Sequence, residues 1–141
     1  MNLRIELTQT PTEEHRAAIL APLRAHNVSQ AGPSAWEPIA LLVRDEHDAV
    51  LGGLYGHTFY RWLFIELLAV PIEGRGQGIG SKLMQMAEDF AREKDCVGIW
   101  LDTFSFQAPE FYKKVGYTEC GEIVDYPLGH KRHFFQKRLI D

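Results

Sequence analysis

Leu3, Ile5 and Leu7 alternate with Arg4 and Glu6, the period of a half-buried strand. Thr10-Pro11-Thr12-Glu13 then supplies an N-cap, a first-turn proline and an early carboxylate, so a helix is predicted to follow. Pro22 is expected to bend or end that helix, because proline lacks an N–H and clashes with the preceding turn. NVSQAGPSAWEP reads as loop from its Gly, Pro and Ser content. PIALLVRDEHDAVLGGLYGH reads as two strands joined by a tight polar turn at Asp45 to Asp48. RWLFIELLAV is nearly continuous in apolar residues, the pattern of a strand covered on both faces.

Past a glycine-rich stretch, Ile79, Leu83, Met86, Ala87 and Phe90 repeat at helical spacing, with Lys82, Gln85, Glu88, Asp89 and Arg92 assigned to the opposite, polar side. CVGIWLDTF is a further strand, and APEFYKKVG a short helix closed by Gly116. YTECGEIVDYP and HFFQKRL are two closing strands. The predicted order is strand, helix, three strands, helix, strand, helix, two strands. It implies a layered α/β or α+β domain with a mixed sheet flanked by helices.

A chain of 141 residues with 45% hydrophobic content suits one domain with one core, taken here as 1–141. A net charge of −4 with scattered Lys and Arg gives no footprint for nucleic acid and suits a cationic small molecule better. MNLRIELTQTP has no apolar signal-peptide core and no run approaches membrane-spanning length, so a cytoplasmic protein with no membrane partner is expected. Cys96 and Cys120 lack C-x-x-C spacing; they are read as free thiols buried in strands, with no metal.

The chemistry lies in VPIEGRGQGIGSKL. Gly74, Gly76, Gly78 and Gly80 join an apolar strand to an amphipathic helix, where unpaired backbone N–H groups and the helix dipole favour an anion such as phosphate. The Walker pattern fails because Gly80 is followed by Ser81-Lys82, and the dinucleotide pattern ends on Ile79 or Ser81 instead of glycine. By residues alone, a phosphate cradle and a flexible connection both remain open. The run from Val70 through Arg75, Gly78 and Gly80 resembles the acetyl-coenzyme A signature of the GNAT superfamily of N-acetyltransferases, Q/R-x-x-G-x-G/A. APEFYKKVGY is similar to a second segment of that family, with Ala108, Phe111, Tyr112, Gly116 and Tyr117 in place. Ser105 departs from it, standing where an asparagine is frequent.

The resemblance implies a mixed, mostly antiparallel sheet of six to seven strands flanked by helices and splayed at its two central strands. Acetyl-CoA would be the acetyl donor, its pantetheine arm lying in the splay beside Leu68, Ala69 and Val70. Arg75, Gly76, Gln77, Gly78, Ile79, Gly80 and Ser81 would hold the pyrophosphate. The implied reaction is direct attack of a primary amine on the thioester in a ternary complex, the acceptor being a small molecule or peptide. Tyr112 is the candidate general acid. Glu66, expected on the same side of its strand as Leu68 and Val70, is the candidate base. His130 is a second candidate base, and Trp36, Trp62 and Tyr126 are candidate acceptor-pocket aromatics that equally suit a core. A homodimer is expected through the edge of the last strand. The competing readings are a non-catalytic acyl-CoA-binding sensor and a nucleotide-binding domain of another kind.

Overall fold

A computed structural model describes residues 1–140, in two compact units, one from Met1 to Ser34 and one from Ala35 onward. In the first, the alternating segment at Leu3 to Leu7 forms no strand. Alternation fixes which face a strand would bury, but not which neighbour completes its ladder. Helix α1 runs from Glu13 to Ala31. Thr12 caps it, two residues beyond the expected Thr10, so Pro11 precedes the helix instead of opening its first turn; the Thr12 hydroxyl accepts from the His15 N–H while His15 Nδ1 accepts from the Thr12 N–H. Pro22 neither ends nor divides α1. An interior proline costs about 3 kcal/mol; two full turns on each side and the caps at Thr12 and Gly32 accommodate that loss, so the expected loop at Asn27 to Ala31 is helix instead.

The second unit is a six-stranded sheet in the order β1-β2-β3-β4-β6-β5. The strands are β1 (Glu37–Arg44), β2 (Val50–Phe59), β3 (Trp62–Ala69), β4 (Gly98–Phe104), β5 (Thr118–Val124) and β6 (Lys131–Arg138). The β1–β2 turn closes as the sequence predicts, Asp45 Oδ1 accepting from the N–H groups of His47 and Ala49. Every neighbouring pair is antiparallel except β3 and β4. Helix α2 (Ile79–Glu93) follows β3 through a 3-10 turn at Ile72–Gly74, and α3 (Pro109–Lys114) follows β4.

The core gathers Leu63, Ile65, Ile99, Leu101 and Phe135 from the sheet with Met84, Ala87 and Ala91 from α2. Truncating one of the fully buried leucines to alanine would cost about 2–5 kcal/mol. The strand β3 is buried at Leu63 and Ile65 but exposed at Glu66, Leu67 and Ala69, so continuous hydrophobicity here does not mean cover on both faces.

Two side chains of α2 exchange the places predicted for them. Met86 is exposed, whereas Glu88 is buried and paired with Lys137 of β6, Nζ to Oε1 2.5 Å. A buried carboxylate needs such a partner, and the partner comes from a strand distant in sequence. Lys137 also lies over the ring of Tyr117, whose hydroxyl burial and the nearby Glu88 charge hold well above the ordinary tyrosine range. Cys96 is buried between α2 and β4 rather than in a strand, and Cys120 on β5 is exposed. The last strand, β6, sits between β4 and β5, so β5 and not HFFQKRL forms that edge of the sheet.

Candidate active site

The parallel ladder between β3 and β4 runs only from Trp62 opposite Gly98 to Ile65 opposite Leu101. Beyond it β3 continues beside β2 to Ala69, and β4 continues beside β6 to Phe104, so the two central strands separate. Backbone groups on the facing edges are left without a ladder partner, which is what an extended chain inserted as a strand would use. The opening is a cavity of about 720 Å³ whose lining includes Glu66, Leu68, Val70, Arg75, Asp102 and Tyr112.

A bulge in β3 helps to open it. Gly56 pairs with Ile65 and Tyr55 with Leu67, leaving Glu66 as the extra residue. Strict alternation predicts Glu66 on the side of Leu68; with the bulge between them, both still line the cavity. Leu68 pairs with Leu54, a core residue, while Glu66 is exposed on the cavity lining and has no hydrogen bond or ion pair among the described residues.

The glycine turn presents backbone. Gly78 is the N-cap of α2 at φ 73°, a left-handed conformation that glycine adopts without strain, and no side chain caps the helix. The first backbone bond into the helix is from the Lys82 N–H to Gly78 O at 3.0 Å. The N–H groups of Ile79, Gly80 and Ser81 therefore have no helical acceptor. A Cβ on Gly80 would lie 3.3 Å from the Phe111 ring, so glycine there lets α3 close against the start of α2. Of the predicted cofactor residues, Leu68, Ala69, Val70, Arg75 and Gly80 line the cavity; Gly76, Gln77, Gly78, Ile79 and Ser81 continue the same turn beside it.

Tyr112 is the buried residue of α3 and also lines the cavity. Its hydroxyl has no hydrogen-bond partner among the described residues. Burial, with the Asp102 charge adding, pushes it up to about 12, so it stays protonated as a donor at neutral pH. The loop before α3 is fixed by Gln107, whose Oε1 accepts from the Phe104 N–H at 2.8 Å, and by Thr103 Oγ1, which accepts from the Ala108 N–H at 3.3 Å.

The sequence reading missed the pair opposite the glycine turn. Arg132 of β6 grips Asp102 of β4 with both groups facing the cavity, Nε to Oδ1 2.9 Å and Nη2 to Oδ2 2.8 Å. The two stand thirty positions apart, and no local pattern joins them. Of the candidate aromatics, Tyr126 meets Arg132 through a 3.0 Å hydrogen bond, Trp36 lies near His57 and Trp62 covers Gly98. Ser105 Oγ accepts from the Lys131 N–H at 3.1 Å and lies 3.2 Å from His130 Nδ1, so this serine ties the 126–130 turn to the end of β4. Away from the cavity, Glu119, Glu122 and His133 bring ligand atoms within 4.8 Å of one another, but the contact is accounted for by the 2.7 Å pairing of His133 Nδ1 with Glu119 Oε1.

A parallel pair that splays beside a glycine-capped helix defines an acyl-CoA-dependent transferase architecture, and sequence comparison agrees. Residues 6–117 match the model of the acetyltransferase (GNAT) family, and the chain belongs to that family. It is 40% identical over 138 residues to the blasticidin-S acetyltransferase of Streptomyces morookaense, covering 97% of this chain and 99% of that one. It is 36% identical over 133 residues to an acetyltransferase of Agrobacterium fabrum, covering 94% and 97%. A crystal structure from Agrobacterium tumefaciens superposes with a TM-score of 0.91 at 35% identity, over 97% of this chain and all of that one. The protein is an acetyltransferase, and the mixed six-stranded sheet is the fold of that family. Among the described residues no helix is long and apolar enough to cross a membrane.

Proposed function

We propose that residues 1–141 act as one N-acetyltransferase domain that moves the acetyl group of acetyl-CoA to a primary amine of a small molecule or peptide by direct attack in a ternary complex. The observation that carries this reading is the junction of splay and glycine turn. One cavity offers strand edges for the pantetheine arm, and the turn beside it offers helix N–H groups for the pyrophosphate. Acetyl-CoA supplies the thioester carbonyl; the chain's part is to hold it, to donate to its oxygen and sulfur, and to take a proton from the amine. Backbone N–H groups near Val70 serve the developing oxyanion.

Tyr112 serves the departing sulfur. A phenol at about 12 does not by itself protonate a thiolate whose acid titrates near about 8.5. Its contribution is a hydrogen bond that strengthens as negative charge reaches the sulfur, with full transfer coupled to proton loss from the attacking amine. Glu66 is placed to accept that proton, directly or through water, and its unpaired carboxylate also draws a cationic acceptor into the cavity. The likeness to a blasticidin-S acetyltransferase supports a small-molecule acceptor. A cytoplasmic location and a homodimer complete the reading. For the dimer the support is β5, the free edge of the sheet, where one side of the backbone has no strand partner.

The test is thiol release from acetyl-CoA with a panel holding blasticidin S, aminoglycosides, polyamines, amino acids and short peptides. Release that depends on one class of amine is expected. Tight CoA binding with no amine-dependent release across the panel would contradict the reading.

A further inference from the structure

Arg132, like its partner Asp102, is a charged group of the cavity that acetyl transfer as described above does not use. Asp102 takes its Nε and Nη2 edge, and its Nη1 donates to the Tyr126 hydroxyl. The rings of Tyr126, Phe134 and Phe104 lie 5.1, 5.5 and 5.6 Å from the guanidinium carbon. An arginine has five N–H donors, so two stay open on a side chain that lines the cavity and is 27% exposed. The bidentate carboxylate and the surrounding rings fix the plane of the guanidinium before any ligand arrives, so little side-chain freedom is lost on binding. Glu66, lining the same cavity, is the carboxylate with no partner among the described residues.

We propose that Arg132 is a specificity-determining residue that binds a carboxylate carried by the acceptor, so that the substrates are amines bearing a carboxylate. The inference rests on the reading that this cavity receives the acceptor. Asp102 cancels the net charge of Arg132, which removes its long-range pull on anions and leaves two directed donors at short range. Such a device reads oxygen geometry more than charge. A carboxylate offers it two acceptor oxygens, whereas a primary amide offers one acceptor and an NH₂ that opposes the second donor. At the other pole, Glu66 suits the ammonium group. The site therefore fits a zwitterion, with the amine toward the splay and the carboxylate toward β6.

The test is calorimetric titration of the CoA-loaded protein with matched probes, 6-aminohexanoate against 6-aminohexanamide and phenylalanine against phenylalaninamide. The wild type is expected to bind the carboxylate member about tenfold more tightly, the size of one charge-assisted hydrogen bond. Arg132→Gln should bring that ratio close to one while leaving the affinity for CoA unchanged, and Arg132→Lys should restore it only in part because the fork is lost. Equal affinity of the wild type for both members of each pair would overturn the proposal, and that comparison does not depend on any variant folding. A ratio that persists in Arg132→Gln would overturn it as well. Acetylation of the same probes is read separately: a binding preference that follows Arg132 without amine-dependent thiol release supports the carboxylate site and contradicts the proposed reaction instead.

Discussion

The wall of the cavity built from β3, the glycine turn and the start of α2 offers backbone to a ligand, whereas the wall built from β4 and β6 offers side chains. On the first, the recognisable groups are the free strand edge past Ile65 and the uncapped N–H groups after Gly78. On the second they are the Asp102–Arg132 pair and the ring of Phe104. A backbone site binds any molecule of the right shape and anionic end, which suits a donor shared by many reactions. A side-chain site is set by individual residues, which suits an acceptor that differs from one enzyme to the next.

Substitutions can pull the two walls apart. The largest effect is expected at Tyr112, the proposed general acid. Tyr112→Phe should lower the maximal rate by about 10²- to 10³-fold with CoA affinity preserved, as measured by steady-state kinetics and calorimetry. An unchanged rate across pH would return Tyr112 to a packing role beside Phe111. Glu66→Gln should lower the rate by about 10- to 100-fold and erase the acidic limb of the pH profile, since a glutamine has no proton to lose. If that limb persists, another group or water is the base.

A smaller loss is expected on the donor wall. Gly78→Ala forces a side chain into the left-handed region at a cost of about 1–2 kcal/mol. The KM for acetyl-CoA should therefore rise about tenfold, with discrimination among amines unchanged. A last effect leaves activity at neutral pH untouched and is confined to alkaline solution. Tyr112 binds its proton more tightly folded, at about 12, than in an unfolded chain, at about 10. Between those values the native state holds more protons, so stability is complete below about pH 10 and falls as pH rises toward about 12, by up to about 2–3 kcal/mol. Tyr117 is raised in the same direction and extends the loss. Denaturant titrations across that range should show a shallower fall for Tyr112→Phe than for the wild type.

The difference between the walls also explains what could be read from the chain. Backbone recognition requires glycine, and the alternation at Gly74 to Gly80 directly before a helical repeat made the donor wall visible in one short segment. The succession of β1 to β6 along the chain was likewise legible, because each strand shows its period locally. Three features were not. The bulge at Glu66 changes the phase of β3 without changing its composition, so no local pattern announced it. Glu88 looks like a surface residue until Lys137 arrives from β6. Arg132 and Asp102 meet only because β6 enters between β4 and β5, a topological choice that hydrophobic periodicity does not encode. The mistaken strand at Leu3 to Leu7 and the helix that runs through Pro22 have a related cause, since local propensity is settled by what each segment finds to pair or pack with.

The central claim is that the splay between β3 and β4 holds the thioester with Tyr112 at its sulfur. A crystal structure of the protein with CoA tests it most directly. The pantetheine arm is expected along β3 from Leu68 to Val70, the pyrophosphate on the N–H groups after Gly78, and the sulfur within about 3–4 Å of the Tyr112 hydroxyl. A CoA whose sulfur points away from Tyr112, or one bound outside the splay, would contradict it.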